Sequence, residues 1–292
     1  FSLILGILVA IVACLIKEYL DNSIKSISEI ERFGLDILAM IPTIGAEYKQ
    51  QNNESKIANN RNLERRLITH EDGKSPVSEA YRTLRTNLIY RFNSESGQAI
   101  LVSSPGPGEG KTTTIANLAI TFANLGKKTL LVDTDLRKPV MHTVFNKNQS
   151  PGLTDYLMGN ESNIDNLINE IDVNNLDIMT SGNVPPFPSE LLGSNKMSSL
   201  INELKNKWDV VLFDLPPLMA VTDAYVILKS MDQFVLVLRA GVTQKGALKR
   251  SISYLQMGGI NTTGVVVNQI DKSKASKDEQ FDYYQQYYGI EE

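Results

Sequence analysis

The sequence predicts an α/β fold in which helices flank a doubly wound, mainly parallel sheet. Three observations predict it: short runs rich in Val, Ile and Leu alternate with helical stretches, a Gly-rich turn joins one run to a helix, and two other runs end in aspartate. Ligands of such sheets bind at the carboxyl edge of the strands. Strands are expected at 99–103, 129–133, 176–180, 209–213, 233–238 and 264–268, and helices near 112–125, 153–158, 162–170, 189–206, 222–230 and 243–257.

The composition is that of a globular protein. The 292 residues suffice for one large α/β domain with flanking segments, and 42% of them are apolar. A net charge of −4 gives no reason to expect nucleic acid as a partner. The single cysteine, Cys14, excludes a disulfide within one chain, and neither His70 nor His142 has a partner at metal-ligand spacing.

The chain opens with an apolar segment that carries no charge from Phe1 to Ile16. This length is slightly short of a membrane span, so we interpret the segment as part of a transmembrane helix, with a buried core helix as the alternative. Lys17, Lys25 and Arg32 follow it, which favours a cytoplasmic location for the rest. The expected organisation is the C-terminal part of a transmembrane helix at 1–20, a juxtamembrane segment and linker at 21–74, the α/β domain at 75–272 and a tyrosine-rich tail at 273–292.

A Gly-rich loop follows the first predicted strand. Residues 103–113 are Ser-Ser-Pro-Gly-Pro-Gly-Glu-Gly-Lys-Thr-Thr, which fits the P-loop pattern G-x-x-x-x-G-K-[ST] except that Pro105 occupies its first position. A turn that merely precedes a helix is the alternative. In a P-loop, backbone N–H groups and the helix N-terminus hold phosphate oxygens. Lys111 is predicted to reach the β- and γ-phosphates and Thr112 to ligate Mg²⁺. The predicted nucleotide-binding residues of the loop are Gly108, Glu109, Gly110, Lys111, Thr112 and Thr113.

Two further strand ends are acidic. One apolar run ends in Asp133 and Asp135, and another ends in Asp214. Parallel strands bring their carboxyl ends to one edge, where three carboxylates beside a P-loop suit a hydrated Mg²⁺ that bridges phosphates. Strand termination or helix capping explains any one aspartate equally well. The three elements in this order predict a P-loop NTPase-like protein that binds ATP and Mg²⁺.

These motifs resemble those of the bacterial tyrosine kinases that are fused to, or partnered with, polysaccharide co-polymerases. Residues 107–113 are similar to their Walker A motif, 133–139 to their Walker A′ and 214–217 to their Walker B, although Leu215 replaces a more usual small polar residue. Residues 181–192 resemble another signature of that family, with Phe187 in place of the usual asparagine.

The resemblance implies a protein-tyrosine autokinase and a set of roles for its residues. Lys111 would stabilise charge on the transferred phosphoryl group, and Asp133 would orient or deprotonate the attacking tyrosine hydroxyl. Asp135 and Asp214 would hold Mg²⁺ with Thr112, directly or through water, although the sequence does not separate the roles of Asp133 and Asp135. Two further residues have two alternatives each: Arg137 contacts phosphates or stabilises a neighbouring loop, and Asn268 contacts the adenine or caps a strand end.

The resemblance also implies self-association. Glu79, Arg82 and Arg85 match an E-x-x-R-x-x-R oligomerisation motif on one helix face, which would contact the next subunit of a ring-shaped homo-oligomer. An ordinary solvated face is the alternative. The tail would be phosphorylated in trans, and its phosphates would loosen the ring; a disordered tail or a packed aromatic patch is the alternative. The tyrosines concerned are Tyr283, Tyr284, Tyr287 and Tyr288.

The implied setting is the bacterial inner membrane, with the kinase domain in the cytoplasm. The implied partners are the transmembrane and extracytoplasmic region of a co-polymerase, the membrane itself and a cognate tyrosine phosphatase. The implied process is capsule or exopolysaccharide synthesis and export. Nucleic acid is not among the expected partners.

A second class of protein has similar motifs. The ParA/MinD partitioning and positioning ATPases share the deviant P-loop, and such a protein would organise a membrane complex without phosphorylating tyrosine. These ATPases carry a signature lysine five residues before the P-loop lysine, where this chain has Gly106. That difference, the E-x-x-R-x-x-R motif and the tyrosine-rich tail favour the kinase. A catalytically inactive scaffold is disfavoured because every expected phosphate and metal residue is present.

Overall fold

The computed structural model describes residues 2–43, 67–92, 97–220 and 227–270. These residues form one eight-stranded sheet. Its strands are β1 (Ile37–Pro42), β2 (Gln98–Ser103), β3 (Thr129–Asp133), β4 (Ile168–Glu170), β5 (Leu176–Met179), β6 (Val210–Asp214), β7 (Gln233–Arg239) and β8 (Gly264–Ile270). Their order is β1-β8-β7-β2-β6-β3-β5-β4, and only β4 runs antiparallel to its neighbour. This topology confirms the predicted doubly wound α/β fold.

Ten α-helices accompany the sheet in the described ranges, together with 3₁₀ turns at Ile164–Leu167 and Leu228–Ser230. No helix within those ranges is both long enough and apolar enough to cross a membrane. The helices are α1 (Ser2–Leu20), α2 (Ile27–Glu31), α3 (Ile68–Glu71), α4 (Pro76–Ile89), α5 (Lys111–Asn124), α6 (Met141–Val144), α7 (Leu153–Met158), α8 (Pro188–Leu192), α9 (Asn195–Lys207) and α10 (Lys245–Met257).

Three predicted helices differ from the structure. The helix expected at 162–170 is wrong, because a 3₁₀ turn there leads directly into β4. The single helix expected at 189–206 is two helices, α8 and α9, since the Ser194 hydroxyl accepts a hydrogen bond from Met197 N–H (3.2 Å) and starts a new helix. Of the helix expected at 222–230, only 227–230 lies in the described ranges, where it includes a 3₁₀ turn.

The segment that follows α1 packs against the α/β domain. Strand β1 extends the sheet by pairing in parallel with β8, and Ile24, Ile27 and Ile30 are buried in the core. Strand β1 is absent from the strands expected from the sequence. Its signal is the apolar run that ends at Pro42, because proline lacks an N–H group and suits the end of an edge strand.

The same segment is hydrogen-bonded to the turn after β7. Ser23 forms an antiparallel bridge with Gln244. The Ile24 N–H donates to the Thr243 carbonyl (2.8 Å), and the Gly241 N–H donates to the Ile24 carbonyl (2.9 Å). The chain that leaves α1 is therefore joined to the carboxyl edge of the sheet.

The phosphate-loop candidate leaves the middle of the sheet. Strand β2 lies between β7 and β6, and all six of its residues are buried. Successive residues of β2 point to opposite faces, so that Leu101 joins one hydrophobic cluster and Ile100 joins the other. Helix α5 covers one face, and every residue from 114 to 123 is buried. The loop that joins β2 to α5 therefore connects a fully buried strand to a largely buried helix.

Candidate active site

The loop after β2 curves back toward α5 because two of its glycines have positive φ. Gly108 has φ 74° and Gly110 has φ 93°, a conformation that costs glycine little. A Cβ on Gly110 would also overlap the Asn268 side chain. Gly110 is the N-cap of α5, and Lys111 is its first residue. The loop thus presents the N-terminus of a buried helix, an arrangement that binds phosphate.

Strand register brings the predicted carboxylates to the same edge. Asp214, at the end of β6, lies beside Val102 of β2 on one side and Asp133 of β3 on the other. Asp133 is 1% exposed and Asp214 is fully buried. The two carboxylates therefore face each other in a site from which water is largely excluded, next to the loop.

Lys111 joins two of the carboxylates. Its Nζ lies 3.1 Å from Asp135 Oδ2 and 3.2 Å from Asp214 Oδ1, with only 12% of its side chain exposed. Burial alone would disfavour the ammonium charge, but the Asp214 and Asp135 carboxylates raise the pKa of Lys111 above its ordinary value. The lysine therefore carries its positive charge at the point where the P-loop meets the acidic edge.

Thr112 and Asp214 form the expected cation-binding pair. The Thr112 hydroxyl donates to Asp214 Oδ2 at 2.6 Å, and burial raises the pKa of Asp214. Within the part of the chain described, no group of three or more His, Cys, Asp or Glu side chains could hold a metal. Mg²⁺ in nucleotide sites takes only one or two carboxylates, with phosphates and water as its other ligands. The hydroxyl of Thr112 and the carboxylates of Asp214 and Asp135 fit that donor set.

Asp133 and Asp135 have different surroundings. Asp133 accepts backbone hydrogen bonds from Asp135 (3.2 Å) and Met141 (3.1 Å). Burial and the Asp214 carboxylate raise the pKa of Asp133 to about 7. Asp135 instead pairs with Lys111 and accepts the Lys138 N–H (3.1 Å). The surroundings of Asp135 thus suit a carboxylate that binds a cation, whereas Asp133 has the buried environment typical of a general base.

Two outer residues contact loops. Arg137 is exposed, and its Nη2 donates to Ser189 Oγ at 3.4 Å. Asn268 Nδ2 donates to the Glu109 carbonyl (3.1 Å), and its Oδ1 accepts the Gln269 N–H (2.9 Å). The contact between Asn268 and the P-loop could not be predicted from the sequence, because the two partners lie 159 residues apart and only the strand order brings them together. The contacts of Arg137 with phosphate and of Asn268 with adenine stay predictions.

The predicted oligomerisation residues lie on α4 and bond within the chain. Arg82 pairs with Glu79 and also donates to the Gly73 carbonyl. Arg85 Nη1 donates to the Thr121 carbonyl of α5 (2.9 Å). Partial burial and the nearby Arg82 lower the pKa of Arg85. The four predicted phosphorylation sites, Tyr283, Tyr284, Tyr287 and Tyr288, lie outside the described residues.

The chain is similar to known kinases over most of its length. Residues 97–258 match the family model of an AAA domain. Tyrosine-protein kinase YwqD of Bacillus subtilis (strain 168) is 38% identical over 222 residues, which cover 76% of this chain and 92% of that protein. Tyrosine-protein kinase wzc of Salmonella typhimurium is 30% identical over 289 residues, 98% of this chain but 40% of that longer protein.

A solved kinase structure has the same fold. The kinase domain of Escherichia coli tyrosine kinase ETK matches with a TM-score of 0.76 and 28% identity, covering 86% of this chain and 96% of that one. The P-loop fold and the AAA-domain match support nucleotide binding, and the near-complete match to the B. subtilis enzyme gives the reaction class. The chain belongs to the bacterial tyrosine-protein kinases, as its P-loop and acidic motifs indicate.

Proposed function

We propose that this kinase transfers the γ-phosphoryl group of ATP, with Mg²⁺, to tyrosines of its own C-terminal segment, in trans within a ring-shaped oligomer. The observation that carries the chemistry is the position of Lys111 between Asp135 and Asp214 at the start of α5. Phosphoryl transfer needs positioned positive charge more than covalent participation by the protein, and this lysine supplies it beside the phosphate loop.

Each residue of the site has a distinct task in this proposal. The loop N–H groups and the N-terminus of α5 hold the phosphates, and Lys111 exchanges its carboxylate partners for phosphate oxygens. Thr112, Asp135 and Asp214 hold Mg²⁺, which neutralises phosphate charge when bound. Asp133 accepts the proton of the tyrosine hydroxyl, whose ordinary pKa is about 10, while the tyrosine oxygen bonds to phosphorus and ADP leaves.

The proposed setting is the synthesis and export of capsule or exopolysaccharide. Residues 1–20 would lie in the bacterial inner membrane and the kinase domain in the cytoplasm, because an uncharged segment is followed by Lys17, Lys25 and Arg32. The kinase ring would act together with the transmembrane and extracytoplasmic region of a co-polymerase, so that phosphorylation of the tail regulates polysaccharide synthesis and export. A cognate tyrosine phosphatase would remove the phosphates from the tail.

Phosphate should accumulate on the tail when the protein is incubated with ATP and Mg²⁺. We expect mass spectrometry to locate it on Tyr283, Tyr284, Tyr287 and Tyr288, and the variant with all four changed to Phe to lose that signal while it still turns over ATP. An equimolar mixture of this variant with Lys111→Met would test transfer in trans, since one partner lacks acceptors and the other lacks activity. ATP turnover by the wild type without any phosphotyrosine would favour the regulatory ATPase instead.

The ring can be tested separately from the chemistry. We expect the double variant Arg82→Ala, Arg85→Ala to lower the molar mass in light scattering, because the two guanidinium groups would no longer face the neighbouring subunit. Arg250→Ala, an exposed arginine on α10, is the matched control. Arg85 also bonds to the Thr121 carbonyl, so thermal unfolding should be recorded in parallel. An unchanged molar mass in a folded double variant would refute the interface.

A further inference from the structure

Glu109 is a P-loop residue whose side chain turns into the protein. It is 4% exposed. Its Oε2 accepts the N–H of Gly106 at 2.9 Å, and its Oε1 accepts the hydroxyl of Thr243 at 2.7 Å. The carboxyl group therefore links the first turn of the loop to the chain segment after β7.

The Thr243 hydroxyl takes part in two hydrogen bonds, one as donor and one as acceptor. Thr243 is fully buried, and its hydroxyl oxygen already accepts the backbone N–H of Arg239 at 2.8 Å. The same hydroxyl group donates its proton to Glu109 Oε1. The Thr243 backbone is also fixed, because its N–H donates to the Arg239 carbonyl and its carbonyl accepts the Ile24 N–H. Glu109 is consequently attached to a rigid partner.

Burial disfavours the ionised form of the Glu109 carboxyl group. Burial raises the pKa of Glu109 to about 7, while the hydrogen bonds from Gly106 and Thr243 and the charge of Arg239 oppose that rise. Arg239 also donates from Nη1 to the Gly108 carbonyl at 3.0 Å. Together with Asn268, which donates to the Glu109 carbonyl, these contacts hold the loop from the side of β7 and β8.

We propose that Glu109 is a positioning residue of the phosphate-binding loop: its side chain, held by Thr243, fixes the backbone donors of the loop in their binding arrangement and does not itself contact the nucleotide or Mg²⁺. In the sequence, Glu109 is predicted to bind nucleotide only because it lies within the P-loop pattern. This role affects nucleotide affinity, which can be measured without tail phosphorylation or ring formation.

The test is a double-mutant cycle read out as nucleotide affinity. Titration with a fluorescent ADP analogue should give a dissociation constant about tenfold higher for Glu109→Ala and for Thr243→Val, the loss expected when a hydrogen bond to a charged group is removed. The dissociation constant of the double variant should be no higher than that of the single variant with the lower affinity, because both changes break the hydrogen bond between Glu109 and Thr243. For Thr243→Val, the turnover number at saturating ATP should stay within about threefold of the wild type, since the loss is in binding.

Conservative variants and a matched control separate positioning from general stability. Thr243→Ser retains the hydroxyl and should bind as the wild type does, and Glu109→Gln, which accepts only one of the two hydrogen bonds, should be intermediate. Thr121→Val removes another buried hydroxyl, which bonds to the Leu118 carbonyl within α5, and should leave the affinity unchanged.

Three results would overturn the proposal. The first is additive losses in the double variant. The second is an unchanged affinity in Glu109→Ala. The third is a turnover number that falls while affinity is retained, which would make Glu109 a catalytic residue. If Glu109→Ala does not fold, comparison of Thr243→Ser with Thr243→Val decides the question, because the pair differs chiefly in the hydroxyl group.

Discussion

Replacement of Lys111 by methionine should abolish tyrosine phosphorylation and destabilise the nucleotide-free protein at the same time. The ammonium group offsets the charges of Asp135 and Asp214, and Asp214 is fully buried. Removal of one partner from a buried ion pair costs about 3–5 kcal/mol of unfolding free energy. The loss of positioned charge should lower the transfer rate by at least about a hundredfold. Urea unfolding and phosphotyrosine mass spectrometry measure the two effects.

The destabilisation should depend on pH in a defined direction. Burial raises the pKa of Asp214, and loss of Lys111 would raise it further. A carboxyl group with a raised pKa in the native state binds protons that the unfolded chain has released, so its contribution to stability falls as pH rises. The loss of unfolding free energy in Lys111→Met relative to the wild type should thus be larger at pH 8 than at pH 6. Lys127→Met, at an exposed lysine, is the control, and equal stability of Lys111→Met and wild type at pH 8 would refute the ion-pair argument.

Asp133→Asn should separate phosphoryl transfer from nucleotide binding. We expect transfer to tyrosine to fall by about 10²- to 10⁴-fold, the usual contribution of a general base. Nucleotide affinity in the presence of Mg²⁺ should change little, because the Asp133 oxygens accept backbone hydrogen bonds from Asp135 and Met141. Rapid-quench measurement of the first turnover and titration with a fluorescent ATP analogue give the two quantities.

Asp135→Asn is the matched variant, since it changes the same side-chain type two residues away. In the wild type the Asp135 carboxylate pairs with Lys111. Replacement of this carboxylate by an amide should weaken the Mg²⁺-dependent part of nucleotide binding. Asparagine at position 133 can accept only one of the two backbone hydrogen bonds, and thermal unfolding must show that the variant folds. The two roles would have to be exchanged if Asp133→Asn, rather than Asp135→Asn, lost the Mg²⁺-dependent affinity.

The parts of the site that lie on local motifs could be predicted from sequence. Lys111 and Thr112 follow from the P-loop pattern, and Asp133 and Asp214 follow from apolar runs that end in a carboxylate. Parallel strand register then brings those ends together without any knowledge of the loops. The fold class followed from the same alternation of strands and helices.

The parts that depend on distant residues could not be predicted. Nothing near Glu109 in the sequence points to Thr243, which is 134 residues away, and the link exists only because β7 lies next to β2. Strand β1 also escaped prediction, since a six-residue apolar run shows no period that separates a strand from a packed loop. Asp133 and Asp135 look alike in sequence, and only the backbone donors around them make their surroundings different.

The central position of β2 has a consequence for amide hydrogen exchange. Hydrogen bonds to β6 on one side and β7 on the other connect its buried backbone, so its amide protons should exchange only when the whole sheet opens. A nucleotide that binds only the folded protein lowers the equilibrium constant for this opening by the factor 1 + [L]/Kd. Exchange at Ile100, Leu101 and Val102 would thus measure ligand affinity in variants that have lost all catalytic activity.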